Sequence, residues 1–435
     1  MNYAAKRLDR SAVHGSLLDP VLGTIGFLNE VMSRYPDAIS FAPGAPHPEL
    51  FDDLDTDRYV ERFLEHAVAA GGYTPARARR LLFEYGPSRG LINDTVAAAL
   101  RRDFGIAASA GALVMTVGAQ EAMLLVLRAL FGSRDDVLAV TNPCFVGITG
   151  AARLLDIDAL AVEETPSGID LDALARACRE ARAAGRRVRA CYVAPDFSNP
   201  GGSRMALGCR RDLLELAAAE DFLVLEDNAY GFTALGGDGL PPLKALDDGG
   251  HVVHIGTFAK VCFPGARVGY VLADQKVSVP GGADRLLAEE LAALKSMVTV
   301  NTSPLCQAVV AGMLIEHGGS LSEMSRRGAE LYRRNLTHLT DALDRHLSTG
   351  LPPGVHWNRP EGGFFVRMTL PVAADVDLLE VSAREYGVLW TPMSQFYLDD
   401  AGDRQLRLSC SYLNPQQIDT GVERLASFLR TETRR

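Results

Sequence analysis

A single lysine, Lys260, stands in a stretch of residues 256–267 that is otherwise uncharged until its last residue, Arg267. The stretch follows residues 251–255, a run rich in β-branched side chains that predicts a buried strand. Open α/β folds bind their ligands at the carboxyl ends of the strands, so this strand would place an amine at such an edge. Because most lysines are solvated at the surface, a functional interpretation of Lys260 depends on partners elsewhere in the chain.

Two carboxylates, Glu226 and Asp227, come directly after the apolar residues 222–225. The apolar run predicts a buried strand. A carboxylate at the end of such a strand is costly unless a cation or a hydrogen-bond donor pairs with it. Lys260 follows the next predicted strand along the chain, so a polar residue here and that amine are expected at the same edge of the sheet.

Two further predicted strands end in a residue that could contact a ligand. Asn199 lies in a turn-rich loop after the strand predicted at residues 190–194, and Phe145 follows the strand predicted at residues 137–140. Ordinary turn chemistry accounts for Asn199 taken alone, and core packing accounts for Phe145. Only their position at strand ends connects them with a site.

Gly118, Ala119 and Gln120 stand between a predicted strand, residues 112–117, and a long apolar helix. A helix that begins directly after a strand and a glycine offers free backbone N–H groups to an anion. The G-x-G-x-x-G and P-loop patterns are both absent, so any phosphate that binds here is expected to be a small one.

Arg407 alternates with Leu406 and Leu408 in a predicted C-terminal strand, so its side chain lies on the opposite face from theirs. A solvated edge arginine and a clamp for a carboxylate fit this pattern equally well. Gly44 and Tyr85 lie in turn-rich segments, and a turn alone would explain Gly44.

These residues are positioned by strands that alternate with helices over residues 114–270. The alternation predicts an α/β fold with a mostly parallel sheet that is covered by helices on both faces. Helices are predicted at about residues 282–300 and then up to Arg345, and residues 359–409 predict an antiparallel unit. Several strand ends thus bring polar or aromatic residues to one edge, which predicts a site there.

The composition restricts the functions that such a site could serve. The chain has 435 residues with 47% hydrophobic and 23% charged residues, which predicts a soluble protein of about two or three domains. A net charge of −10 argues against nucleic acid and anionic membranes as partners. The seven cysteines include no C-x-x-C pair, so neither a disulfide framework nor a metal site is expected. This cysteine usage makes a reducing cytoplasm the simplest setting. The absence of a signal-peptide pattern and of a membrane-spanning run predicts a soluble protein.

The N-terminal arm contains no Lys or Arg over residues 16–32 and supplies the apolar side chains Leu22, Ile25, Phe27, Leu28 and Val31. Two interpretations stay open. The arm is either a helix that packs on the body of the protein or a lid that contributes apolar surface to a pocket.

Taken together, the residues resemble the fold-type I aminotransferases that use pyridoxal 5′-phosphate (PLP), and within them the subgroup of kynurenine and aminoadipate aminotransferases. The likeness extends from about residue 39 to residue 428. It implies an N-terminal arm or lid at 1–55, a large PLP-binding domain with the mostly parallel sheet at 56–310, and a small α+β domain at 311–435. It also implies a homodimer with shared active sites.

The resemblance assigns roles around the cofactor ring. Lys260 matches the lysine that forms a Schiff base with PLP and later moves a proton between substrate and cofactor. Asp227 matches the aspartate that keeps the pyridine nitrogen protonated. Asn199 and Tyr230 match the pair that hydrogen-bonds the ring hydroxyl, and Phe145 matches the aromatic side chain that stacks on the ring.

The same resemblance assigns a phosphate site. Gly118, Ala119 and Gln120 match the helix N-terminus that holds the phosphate, and Thr257 and Arg267 complete that cup.

The substrate and the neighbouring subunit account for the remaining matches. Arg407 matches the arginine that grips the substrate α-carboxylate, with Asn199 beside it and the backbone of Gly44 lining the substrate site. Tyr85 matches a tyrosine that reaches the phosphate of the neighbouring subunit.

The sequence departs from the family pattern in two places. Ala119 and Ala259 stand where many relatives have serine, so two phosphate-facing hydroxyls are missing. Residues 199–202 read Asn-Pro-Gly-Gly in place of the usual Asn-Pro-Thr-Gly.

The resemblance predicts transamination between an L-amino acid and a 2-oxo acid. Residues 27–44 also look like those of the aminotransferases that convert an arylglyoxylate to an arylglycine for peptide antibiotics. A 2-aminoadipate or general aromatic aminotransferase is the alternative, and so is a lyase, cyclase or oxidase on the same scaffold. A regulator that fuses this fold to a DNA-binding domain is not expected, because fewer than 40 residues precede the matching region.

Overall fold

The structure is a computed structural model that describes residues 6–19, 22–23, 26, 30–31, 33–234, 239–347, 350 and 352–433. The strands are β1 (Ile39–Ser40), β2 (Leu113–Thr116), β3 (Asp136–Asn142), β4 (Asp158–Thr165), β5 (Gly168–Ile169), β6 (Arg187–Val193), β7 (Leu223–Asn228), β8 (Val252–Thr257), β9 (Gly269–Leu272), β10 (Lys276–Val277), β11 (Arg285–Leu286), β12 (His356–Trp357), β13 (Phe365–Thr369), β14 (Val388–Leu389), β15 (Thr391–Pro392) and β16 (Gln405–Ser409).

The α-helices are α1 (Thr56–Ala69), α2 (Pro75–Arg80), α3 (Asn93–Phe104), α4 (Gly118–Leu130), α5 (Val146–Leu154), α6 (Leu171–Ala183), α7 (Leu207–Glu220), α8 (Leu243–Leu246), α9 (Leu287–Val298), α10 (Pro304–Glu316), α11 (Leu321–Leu347), α12 (Val376–Val381) and α13 (Pro415–Glu432). Among the helices that the structure describes, none combines the length and the apolar character that crossing a bilayer requires.

The central sheet has eight strands in the order β2-β9-β8-β7-β6-β3-β4-β5. Strands β3, β6, β7 and β8 pair in parallel, whereas β9 is antiparallel to both of its neighbours. The predicted mostly parallel sheet is confirmed. Strand β9 was not predicted, because it returns directly from the loop that carries Lys260 and has no helix before it.

Both faces of this sheet are buried. Val140 and Leu225 belong to the apolar cluster on one face, and their chain neighbours Ala139 and Val224 belong to the cluster on the other. Such alternation on two buried faces is typical of parallel sheets that helices cover on both sides. The carboxyl ends of β6, β7 and β8 therefore share one edge, where the following loops meet.

The second sheet is antiparallel, as predicted, with the strand order β12-β13-β16-β15. Leu406 and Leu408 of β16 are fully buried in a core that also contains Trp390. Arg407 lies between them in sequence and points to the opposite face, toward the first sheet.

The helix predicted at 282–300 is correct only from Leu287 onward. Residues 285–286 form strand β11, which pairs with β10. Gly281 has φ +73, a left-handed conformation that does not extend a helix. Helix α9 begins where Glu289 and Glu290 in its first turn complement the helix dipole.

Candidate active site

A cavity of about 300 Å³ lies between the carboxyl edge of the large sheet and strand β16. Most of the residues singled out in the sequence line it: Gly44, Ala119, Gln120, Phe145, Asn199, Asp227, Tyr230, Thr257, Lys260, Arg267 and Arg407. Gly118 and Tyr85 do not line it. A larger cavity, of about 720 Å³, contains neither Lys260 nor Asp227.

Lys260 lies in the loop that follows β8, and its Nζ donates a hydrogen bond to the Gly44 carbonyl oxygen at 2.5 Å. Burial, together with the positive charges of Arg407 and Arg267, lowers the pKa of Lys260 to about 8. A lysine that releases its proton this close to neutral pH can act as a nucleophile or as a base.

Asp227 near the end of β7 has one satisfied oxygen and one free oxygen. The Tyr192 hydroxyl donates to Oδ2 at 2.6 Å. Oδ1 is buried and accepts no hydrogen bond from the residues that the structure describes. Burial raises the pKa of Asp227 to about 6, although the Tyr192 hydrogen bond opposes this shift. The free oxygen fits a donor bound in the cavity, such as a protonated ring nitrogen.

Tyr192 was missed in the sequence analysis. It lies inside β6 and is 1% exposed. In the sequence it therefore looks like one more buried residue of an apolar strand. Its hydroxyl was the available signal, because a buried Tyr O–H nearly always has a hydrogen-bond partner. Phe396 also lines the cavity and was not predicted, because in the sequence it looks like an ordinary core residue.

The N-terminus of α4 forms a polar corner beside Arg267. Gly118 has φ +75, and a Cβ atom there would lie 2.7 Å from an Nη atom of Arg267. Only glycine allows the guanidinium to approach the first turn this closely. The Thr257 hydroxyl oxygen accepts the Ala259 N–H at 3.1 Å, so its own proton is available to a ligand. Free N–H groups, a hydroxyl and a guanidinium together suit a phosphate group.

The charge of Glu121, an acid in the same helix turn, is neutralised by a buried lysine. Glu121 accepts the Val117 N–H at 2.6 Å, and Lys295 Nζ lies 2.7 Å from the same oxygen. The Lys295 side chain is fully buried. The Glu121 charge therefore has a direct counter-ion and leaves the positive character of the corner intact.

Arg407 is buried and reaches the cavity from β16. Its Nη atoms donate to Asn199 Oδ1 at 2.6 Å and to the Ala42 carbonyl at 2.8 Å. Within the described part of the chain, no carboxylate forms an ion pair with Arg407, and its Nε lacks a hydrogen-bond acceptor. Burial lowers the pKa of Arg407 to about 10. The clamp interpretation therefore fits, and the solvated edge arginine does not.

Tyr230 lies next to this group. Burial raises the pKa of its hydroxyl, and the neighbouring Asn199 side chain opposes this shift. Its ring packs edge-on against Phe364 and Phe365, with centroids 5.0 and 5.7 Å away. Asn199 thus stands between Arg407 and Tyr230 and contacts both.

Tyr85 is 89% exposed and does not line the cavity of its own chain. In the arm, Asp19 pairs with Arg153 at 2.6 Å and thereby connects the arm to α5. The expected apolar side chains Ile25, Phe27 and Leu28 lie outside the described residues, so the structure does not test whether the arm is a lid.

Comparisons with known proteins identify the family of this chain. The chain matches the family "Aminotransferase class I and II" over residues 53–425. It is 46% identical to an (S)-3,5-dihydroxyphenylglycine transaminase of Amycolatopsis orientalis over 98% of this chain and 96% of that protein.

Solved structures agree as well. A kynurenine aminotransferase of Pyrococcus horikoshii in complex with PMP superposes with a TM-score of 0.80, at 26% identity, over 98% of this chain and 97% of that one. An alpha-aminoadipate aminotransferase of Thermus thermophilus, complexed with N-(5′-phosphopyridoxyl)-L-leucine, has a TM-score of 0.77 and 29% identity, over 97% of each chain.

These matches confirm three predictions from the sequence: the fold-type I architecture, the dependence on PLP and the transaminase class. The chain belongs to the aminotransferase class I and II family.

Proposed function

We propose that this protein is a PLP-dependent aminotransferase that moves an amino group from an L-amino acid to an arylglyoxylate and so forms an arylglycine. The observation that carries the proposal is that Lys260, Asp227 with its free Oδ1 and the Arg407 guanidinium line one cavity. These are the groups that a flat phosphorylated ring and an α-carboxylate require.

The bound cofactor supplies a reactive carbonyl group and an electron-accepting ring, which no side chain provides. Asp227 would receive the protonated ring nitrogen at its free oxygen. Asn199 and Tyr230 would hold the ring hydroxyl, and Phe145 would cover one face of the ring. The first turn of α4, from Gly118 to Gln120, would hold the phosphate together with Thr257 and Arg267.

Lys260 would have two tasks. As a neutral amine it would hold the cofactor through its carbonyl carbon, with loss of the carbonyl oxygen as water, and as a free amine it would accept the proton from the substrate Cα on its Nζ. The hydrogen bond to the Gly44 carbonyl gives Nζ a fixed position at the cavity wall. The lowered pKa keeps a useful fraction of the amine neutral at cellular pH.

Arg407 would grip the substrate α-carboxylate with its two Nη atoms. Its present acceptors are neutral oxygens, so an incoming carboxylate gains a charge-assisted pair without having to displace another anion. The adjacent rings of Phe365 and Phe396, 4.4 and 5.1 Å from the guanidinium, exclude water from that pair.

An aromatic substrate is supported by three observations. Phe145, Val146 and Phe396 give the cavity apolar walls, and no lysine or arginine occurs in residues 16–32 of the arm. The relative at 46% identity is a dihydroxyphenylglycine transaminase. Supply of an arylglycine for a peptide antibiotic is the biological setting that we propose, with the cytoplasm as its compartment.

A homodimer with shared active sites belongs to the same proposal, with Tyr85 reaching the phosphate of the neighbouring subunit. The division into an arm (1–55), a large domain (56–310) and a small domain (311–435) also stays a prediction.

The function is tested with purified protein, PLP and an amino donor. We expect turnover with 4-hydroxy- and 3,5-dihydroxyphenylglyoxylate. Lys260→Ala should abolish it, and Arg407→Ala should weaken substrates with an α-carboxylate while PLP stays bound. Lys276→Ala, in the exposed strand β10, is the matched control. Good turnover of 2-oxoadipate with none of either arylglyoxylate would contradict the assignment.

The same assay separates transamination from a lyase, cyclase or oxidase reaction. With the amino donor alone, a transaminase stops after one half-reaction, and the cofactor absorbance changes once. Continuous product release without an oxo acid would identify one of the other reactions.

A further inference from the structure

A buried carboxylate outside the cavity holds the loop that carries Asn199. Glu164 lies near the end of β4, and its side chain is 4% exposed. Its Oε1 accepts hydrogen bonds from the Ser198 hydroxyl, at 2.9 Å, and from the Ser203 hydroxyl. Glu164 therefore contacts both ends of the segment 198–203, which we call the clamp loop.

The middle of the clamp loop fits against the same carboxylate. A Cβ atom on Gly201 would lie 2.4 Å from Oε2 of Glu164, closer than real Cβ contacts allow. The Gly201 carbonyl accepts a hydrogen bond from Asn358 Nδ2 at 2.7 Å. This explains in physical terms why the chain has Gly201 where the usual pattern has threonine: Glu164 occupies the space of the side chain.

The other side of the loop faces the substrate clamp. Asn199 Oδ1 accepts a hydrogen bond from Arg407 at 2.6 Å, and the Asn199 side chain lies close enough to the Tyr230 hydroxyl to lower its pKa. Since Arg407 lacks a carboxylate partner within the described residues, Asn199 is one of the few groups that fix its direction. A shift of the loop would thus turn the guanidinium.

We propose that Glu164 is a positioning residue for substrate binding, which holds the clamp loop so that Asn199 keeps Arg407 aimed at the substrate carboxylate. The role of Gly201 is to make room for this carboxylate. The inference rests on the proposed function only in taking Arg407 as the carboxylate clamp.

Burial raises the pKa of Glu164, while the hydroxyls of Ser203 and Ser198 and the charge of Arg367 oppose this shift. Whichever protonation state prevails, an oxygen at the Oε1 position can accept from the two serines. Glutamine keeps that oxygen and the volume of the side chain, whereas alanine removes both. The pair of substitutions thereby separates loss of the contact from loss of the charge.

The experiment compares Glu164→Ala, Glu164→Gln, Gly201→Ala and the double variant Glu164→Ala/Gly201→Ala in the holoenzyme. KM and kcat are measured for the arylglyoxylate, and the Kd of 4-hydroxyphenylacetate, an unreactive carboxylate, is measured by calorimetry. We expect Glu164→Ala and Gly201→Ala each to raise KM and Kd about tenfold, with kcat changed by less than about threefold. Glu164→Gln should stay within about threefold of the unchanged protein in all three quantities.

The double variant gives the sharpest result. Without the Glu164 carboxylate, the methyl group that Gly201→Ala adds still meets Ser198 Oγ at 2.9 Å, but that hydroxyl has lost its acceptor and can rotate away. The second substitution should therefore add less than about twofold to the effect of the first. Glu163→Gln, which changes the exposed neighbour on the same strand, is the matched control and should have no effect.

Unchanged KM and Kd in the two alanine variants would overturn the inference, and so would independent, multiplying effects in the double variant. If the unaltered protein binds the carboxylate but does not transaminate, the proposed function fails while the comparison of Kd values still decides the role of Glu164.

Discussion

At the scale of single residues, Lys260 shares its cavity with the cations Arg407 and Arg267, and this arrangement sets the pH at which its amine becomes neutral. Burial, Arg407 and Arg267 together lower the pKa of Lys260 to about 8, while Asp227 acts in the opposite direction. The fraction of neutral amine therefore reaches one half near pH 8, whereas an ordinary lysine with a pKa of 10.5 reaches it near pH 10.5.

We expect the rate constant for covalent capture of PLP by the cofactor-free protein to rise with pH and to have its midpoint near 8. Stopped-flow absorbance measures it. Arg407→Met removes one of the charges and should move the midpoint upward. A midpoint near 10.5 in the unaltered protein would show that the cavity does not destabilise the ammonium ion.

Asp227 illustrates a conflict between stability and function. Its pKa of about 6, against 3.8 for a free aspartate, means that the folded chain binds this proton more tightly than the unfolded chain. The contribution of Asp227 to stability is thus fully present below pH 3.8 and is lost as the pH rises through about 6.

Asp227→Asn keeps an acceptor for Tyr192 and removes the buried charge. At pH 8 we expect the free energy of unfolding of the cofactor-free protein to increase by about 1–3 kcal/mol, and we expect no gain below pH 4. Activity should fall at least about a hundredfold, because the ring nitrogen loses its anionic partner. Urea unfolding at both pH values tests the first effect, and a loss of stability at pH 8 would contradict it.

The sequence reveals some of these residues and hides others for a definite reason. Lys260 and Asp227 are visible because Lys260 is a lone charge inside an uncharged stretch and Asp227 belongs to a pair of charges that follows an apolar run. Tyr192 agrees with the pattern of its strand, and only the three-dimensional contact with Asp227 gives it a role. Glu164 is hidden in the same way, since its partners Ser198 and Ser203 are more than 30 residues away in sequence.

At the scale of elements, the N-terminus of α4 is the clearest case of local geometry that serves a ligand. Its first N–H groups have no partners inside the helix, and the helix dipole is positive at this end. Ala119 lines the cavity in this first turn, at a position where a serine would add a hydroxyl donor.

We expect Ala119→Ser to lower the Kd for PLP about three- to tenfold, because one hydrogen bond to a charged group is added. Fluorescence titration of the cofactor-free protein measures this change. Ala129→Ser, near the other end of the same helix, is the control for effects on helix stability. An unchanged Kd would mean that the backbone, Thr257 and Arg267 already satisfy the phosphate.

The strands and helices could be predicted where the sequence pattern of the segment itself determines its conformation. The strands that precede Asn199, Asp227 and Lys260 are short apolar runs between turn signals, and each was predicted within a few residues. Strand β9 and the start of α9 were not, because their conformation depends on neighbours. Gly269, for example, is so close to the backbone of Gly118 that a Cβ there would lie 2.7 Å from its carbonyl carbon.

At the scale of the whole molecule, the region formed by residues 83–91 and 287–316 contains six of the exposed large apolar side chains, namely those of Phe83, Tyr85, Met297, Val298, Val300 and Leu305. Two contacts hold its parts together: Arg89 lies 3.5 Å from Glu289, and Leu91 N–H donates to Gln307 at 2.8 Å. Apolar surface on this scale is typical of a protein interface. A second copy of the chain is the partner that we propose.

Met297 is 84% exposed within that region. We expect Met297→Asp to shift the protein from dimer to monomer in analytical ultracentrifugation, because a charge placed in an apolar interface loses its hydration. Val376→Asp, an exposed apolar position in the C-terminal part of the chain, is the control and should leave the dimer intact. A protein that is monomeric without any substitution would contradict the proposed assembly.

Sharing of the active sites is a stronger claim than dimerisation, and it can be tested by mixing two inactive variants. Tyr85 is 89% exposed and lies outside the cavity that contains Lys260 of its own chain. If Tyr85 completes the neighbouring site, a mixed dimer of Lys260→Met and Tyr85→Ala subunits contains one site with both residues intact. Random reassociation makes about half of the dimers mixed, so we expect about a quarter of the unaltered activity from the mixture. Activity equal to the mean of the two separate variants would mean that Tyr85 acts within its own chain or not at all.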